Sequence, residues 1–86
     1  MARLSPTEAR ALSNVIRMFR GREDLSQEQV EERAGLSSGY LTELEGGRRS
    51  PSFATVYRVT RGLGVSLNEF TEAFEREVER ASRSTP

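Results

Sequence analysis

A serine followed three residues later by an acid or amide recurs at Ser5-Pro6-Thr7-Glu8, Ser26-Gln27-Glu28-Gln29 and Ser66-Leu67-Asn68-Glu69. This is the capping-box pattern, in which the serine hydroxyl accepts from the backbone N–H three residues on and that residue's side chain reaches back to the serine N–H. Pro6 strengthens the first box, because proline's fixed φ suits the opening position of a helix. Two further starts fall at Ser37, directly after Gly35-Leu36, and at Ser50 to Ser52, with Pro51 at or just before a first turn. Gly21, Gly35, Gly46-Gly47 and Gly64 stand where these helices must stop. The punctuation predicts five helices, at roughly 6–22, 27–34, 37–45, 52–62 and 66–81.

Apolar spacing supports the same division. Leu12, Ile16 and Phe19 share a face of the first helix, Val30 and Ala34 of the second, and Leu41 and Leu44 of the third. Val56, Val59 and Leu63 serve the fourth, and Leu67, Phe70, Phe74, Val78 and Ala81 the fifth. No strand pattern competes, so the expected class is all-α, with the 86 residues forming one domain. Residues 82–86 read as a small, polar tail.

Composition narrows the chemistry. With no Cys and no His, disulfides, the usual zinc sites and Cys or His nucleophiles are absent from the repertoire. No convergent acid, base and nucleophile set is present, which argues against an enzyme and gives no reason to expect a cofactor or metal. No apolar run approaches the ~20 residues that span a bilayer, and the N-terminus lacks a signal-peptide core. A cytoplasmic protein without a membrane partner is expected.

The net charge is zero, yet the charges are segregated. Residues 1–22 carry a net +4, residues 23–46 a net −6, residues 47–66 a net +4 and residues 67–86 a net −2. Binding responds to local potential within a Debye length of ~8 Å, so neutrality overall leaves room for a basic face.

The junction Ala34-Gly35-Leu36-Ser37 ends one short helix at a glycine, turns an apolar residue inward and caps the next helix. So short a turn forces a steep crossing and exposes the second helix, the geometry of a helix-turn-helix over about residues 26–45. Leu25-Ser26-Gln27, Val30, Gly35-Leu36, Leu41, Leu44-Glu45, Gly47, Pro51, Leu63-Gly64-Val65 and the IRMFR of the first helix follow in linked spacing. On these residues the chain resembles the Cro- and phage-repressor-like, or Xre, helix-turn-helix family over about residues 11–70. The resemblance implies a compact five-helix, lambda-repressor-like domain, usually dimeric, whose third helix enters the major groove of an operator in double-stranded DNA.

Position by position, the resemblance assigns base-facing roles to Ser37, Ser38, Gly39, Thr42 and Glu43. Ser and Thr bond several bases, Gly offers nothing, and Glu accepts only from a cytosine amino group, so direct readout should be sparse. Glu43 has a second reading, as a solvated residue or the partner of an Arg. Phosphate contacts fall to Ser26 and Gln27 at the second helix start, to Tyr40, and to Arg48, Arg49, Ser50 and Ser52 after the third helix. Helix N-termini and planar guanidinium forks both suit phosphate oxygens. The bland alternatives are that Ser26 only caps, that Tyr40 packs on the fourth helix and that the arginines are solvated.

The resemblance also pairs Arg20 with Glu45 as a structural brace, with Arg17 the less favoured partner. One departure stands out: Glu31 occupies a helix-two position where the family commonly has Ala, and needs solvent, Arg33 or an Arg of the first helix. The apolar stripe of the fifth helix, with Val65, Leu67, Phe70, Phe74 and Val78, suggests a two-fold dimer interface. Its alternative is a helix folded back over helix one.

The first functional expectation is a sequence-specific transcriptional regulator, dimeric on a near-palindromic operator with half-sites ~34 Å apart. No sensor domain follows, so concentration, self-control or a partner would regulate it. A protein-interaction module using the acidic block and the amphipathic fifth helix is the alternative.

Overall fold

The computed structural model describes residues 3–83, which form α1 (Pro6–Arg22), α2 (Gln27–Ala34), α3 (Tyr40–Glu45), α4 (Phe53–Leu63) and α5 (Leu67–Arg83). No strand occurs among the described residues. The first two capping boxes form in full: Ser5 pairs reciprocally with Glu8, and Ser26 with Gln29. The third forms by half, with the Ser66 hydroxyl accepting from the Glu69 N–H at 3.0 Å. The Glu69 carboxylate turns instead to Arg22 of α1, 3.2 Å away.

α3 departs from its expected span. It begins at Tyr40 rather than Ser37, and Gly39 takes the N-cap position with φ of +86° and no side-chain cap. A left-handed backbone there is open to glycine and costly for other L-residues. Ser37, Ser38 and Gly39 thus form an exposed turn, closed by the Tyr40 N–H donating to the Ser37 carbonyl at 3.1 Å. At the other end of the chain α5 runs to Arg83, into what read as tail; residues 84–86 lie outside the described residues.

The core joins Leu12, Val15, Ile16 and Phe19 of α1 to Val30, Leu41, Leu44, Val59, Leu63 and Phe70. Phe19 and Phe70 stack with ring centroids 6.0 Å apart. α5 lies antiparallel along α1, fastened at one end by Arg22–Glu69 and at the other by Asn14 donating to Glu77 at 3.2 Å. The fifth helix therefore folds back over the first. α2 packs on α4 so closely that a Cβ built on Gly62 would sit 2.8 Å from the Val30 carbonyl oxygen. Only glycine admits that approach.

Candidate nucleic-acid interface

α3 has six residues, too few to be stable in isolation. Its neighbours hold it from both ends. At its start, the Glu31 carboxylate of α2 accepts from the Leu41 N–H at 2.9 Å, and both groups are buried. Glu31 was expected to reach solvent or an arginine; it does neither. The larger residue at the helix crossing satisfies a backbone donor that the left-handed Gly39 leaves without a side-chain cap.

At its finish, Glu45 is the hub of a network. Arg20 binds both carboxylate oxygens, Nε to Oε2 at 3.0 Å and Nη2 to Oε1 at 3.1 Å, and its Nη1 donates to the Leu25 carbonyl. Arg17 joins from the same helix, donating to the Glu45 carbonyl at 3.1 Å, and the Ser13 hydroxyl donates to that carbonyl as well. The expected Arg20–Glu45 geometry is present, with Arg17 as a second partner. The Glu45 side chain is 2% exposed, so its charge is neutralised within the fold.

Gln27 extends this network to the outer face. Its Nε2 donates to Glu45 at 3.1 Å while its Oε1 accepts from the Thr42 hydroxyl at 2.8 Å. Two residues expected at DNA, Gln27 and Thr42, therefore hold each other in the free chain. Ser26 caps α2 and Ser52 caps α4, accepting from Thr55 N–H at 3.1 Å. Ser50 accepts from the Leu4 N–H at 3.1 Å, which ties the N-terminal segment to the loop after α3.

On the other side of α3, Glu43, Arg48, Arg49 and Ser50 line a shallow depression with Tyr40 and Arg3. Arg49 Nε donates to Glu43 Oε1 at 2.5 Å, and its guanidinium carbon lies 5.1 Å from the centroid of the Tyr40 ring. The hydrogen bond to Glu43, and then its charge, raise the Arg49 pKa above the ordinary arginine value. Tyr40 itself packs partly against the core. The turn residues Ser37, Ser38 and Gly39 are exposed and surround the start of α3. Arg3 joins this depression from the N-terminal segment, and nothing local in the sequence ties residue 3 to residues 40–50.

The acidic block is reshaped by folding. Glu31 and Glu45 are buried, while Glu23 and Glu43 are paired with Arg22 and Arg49. Glu31 and Glu45 thus serve the scaffold, and two further acids of the block are offset by arginines at the surface.

Two helices joined by a short turn, the second partly exposed and braced from below, define the motif. A family model described as a helix-turn-helix domain matches residues 11–73. The chain belongs to that family. An uncharacterized HTH-type transcriptional regulator, y4dJ, of Sinorhizobium fredii is 48% identical over 54 residues, covering 63% of this helix-turn-helix chain and 69% of that protein. Control protein C.MunI of Mycoplasma sp is 33% identical over 54 residues, covering 63% and 73% respectively. Among solved structures, the restriction-modification controller protein C.Esp1396I superposes with a TM-score of 0.81 at 23% identity, over 87% of this chain and 99% of that one. The same controller has been crystallised as a tetramer with its natural 35 base-pair operator. This helix-turn-helix chain thus has relatives named as transcriptional regulators and the fold of a controller protein. No helix among its described residues is long and apolar enough to cross a membrane.

Proposed function

We propose that this transcriptional regulator binds a near-palindromic operator as a dimer, setting the turn 37–39 and α3 in the major groove. The observation that carries the reading is the two-sided character of α3. Its underside is fixed by Glu31, Leu41, Leu44 and Glu45, while its outer side presents Thr42 and Glu43 beside Arg48 and Arg49. Ser37, Ser38, Gly39, Thr42 and Glu43 meet base edges; Ser26, Gln27, Tyr40, Arg48, Arg49, Ser50 and Ser52 meet the backbone. With so few base-reading side chains, affinity comes mainly from phosphate and specificity draws on DNA shape.

The operator-bound tetramer of C.Esp1396I supports association of this chain on DNA. Phe70 lies within the core at 1% exposure, so the interface falls to the half-buried Val65, Leu67, Phe74 and Val78. Phe74 also lines an apolar groove with Leu4, Leu12, Pro51, Val56 and Phe53, and Phe53 is 71% exposed. A second copy covering that groove would bury it and orient two α3 helices for half-sites ~34 Å apart.

The test is a mobility shift on the DNA immediately upstream of the protein's own gene, across a salt series, with the Arg48→Ala/Arg49→Ala variant alongside. Saturable binding that resists competitor DNA, weakens in the variant and gives a two-fold symmetric footprint is expected. Absence of even salt-sensitive binding to random duplex would sink the reading.

A further inference from the structure

The Glu43–Arg49 pair lies on the face assigned to DNA and contributes nothing to the core. Both side chains are about half exposed, at 44% and 52%, and the Arg49 guanidinium rests over Tyr40. A guanidinium tied through Nε to a carboxylate and laid over a ring has its charge offset and its position fixed, which weakens its hold on a phosphate. Conversely, a carboxylate whose cation has left stands uncompensated beside a polyanion. DNA that takes Arg49 is favoured where it offers Glu43 a donor; the major groove has such donors at cytosine N4 and adenine N6, and cytosine is the base a carboxylate side chain characteristically reads.

We propose that Glu43 is a specificity-determining residue that acts through Arg49, an inference that rests on the operator-binding reading. On DNA that presents no amino group to Glu43 the pair stays closed, and the Arg49 charge remains offset by the carboxylate instead of neutralising a phosphate. Where cytosine meets Glu43, the carboxylate exchanges its partner, and Arg49 is released to a phosphate. Base identity thereby alters a backbone contact, and discrimination exceeds that of one hydrogen bond to one base.

Four full-length chains decide the matter: native, Glu43→Gln, Arg49→Ala and the double variant. Each is titrated with a random-sequence duplex and with a duplex selected by the native chain from a random pool, across a salt series. Glu43→Gln is expected to bind the random duplex ~3–10-fold more tightly, with a log–log salt slope steeper by about one per chain, as one more phosphate is neutralised. Its preference for the selected duplex falls by at least the same factor. In the Arg49→Ala background the gain on random DNA shrinks below half of its logarithm, and the slope does not steepen. An equal gain in both backgrounds would mean simple removal of a repulsive carboxylate and would overturn the proposal. Unchanged or weakened binding of random duplex by Glu43→Gln would overturn it too. A native chain that binds no duplex at low salt refutes operator binding itself, a separate failure. Circular-dichroism melts verify that all four chains fold.

Discussion

The Glu31 carboxylate on α2 and the Leu41 N–H on α3, 2.9 Å apart and both buried, fix the angle at which the exposed helix leaves the fold. A buried N–H deprived of its acceptor bears its full desolvation cost. Glu31→Ala should lower unfolding free energy by about 1–3 kcal/mol, whereas Glu31→Gln, which keeps an acceptor oxygen, should lose less than half as much. Urea unfolding of the three chains measures the difference; equal losses would show that the acceptor is immaterial.

Glu45 and Arg20 form the second brace, and removing one partner strands the other. Because Glu45 is almost fully enclosed while Arg20 keeps 25% of its side chain exposed, Arg20→Met, which strands the carboxylate, should cost about 3–5 kcal/mol. Adding Glu45→Gln to it should recover part of the loss, since the uncompensated carboxylate goes with it. A double-mutant cycle by chemical denaturation reads the coupling, and strict additivity would contradict the network.

Gly62→Ala sets two effects of opposite sign against each other. Alanine favours a helix over glycine by roughly 1 kcal/mol, but its Cβ would meet the Val30 carbonyl oxygen at 2.8 Å. Backbone cannot swing aside as a side-chain tip can, and overpacking of this kind costs about 1–3 kcal/mol. The clash should prevail, so the melting temperature falls; a rise would mean that α2 and α4 part easily.

How much of this was open to a sequence reading depends on range. Ser5, Ser26 and Ser52 cap their helices because capping is settled within four residues, and the Arg20–Glu45 pair followed from a family pattern. The start of α3 was misplaced by three residues because Ser37 looks like a cap, while the true boundary is set by the left-handed Gly39 and by a carboxylate ten residues earlier. Glu31 looked like an intrusion for the same reason: its partner is a backbone group, invisible in the letters. The joining of Gln27 to Thr42, and of Glu43 to Arg49, requires the turn geometry between elements. The charge block at residues 23–46 gave no sign of which acids folding would bury.

Acid should loosen the α1–α5 contact through Glu77. The hydrogen bond from Arg80, aided by one from Asn14, holds the Glu77 carboxyl below the usual carboxylate range. A lowered folded-state pKa contributes stability above the unfolded value of about 4.3, and that stability is lost as pH falls through the folded value. Glu77→Gln should therefore flatten the decline in melting temperature between about pH 4.3 and more acid conditions. An unchanged acid limb in the variant would remove Glu77 from the account.

The six-residue α3 is anchored chiefly from beneath, by one carboxylate at its beginning, one at its end and two leucines between. Its outward positions contribute little to that anchorage, so address and support are written in different residues. Substitutions at 37, 38, 42 and 43 can therefore change the face that α3 presents, while Gly39, held at a φ of +86°, belongs with the foundations.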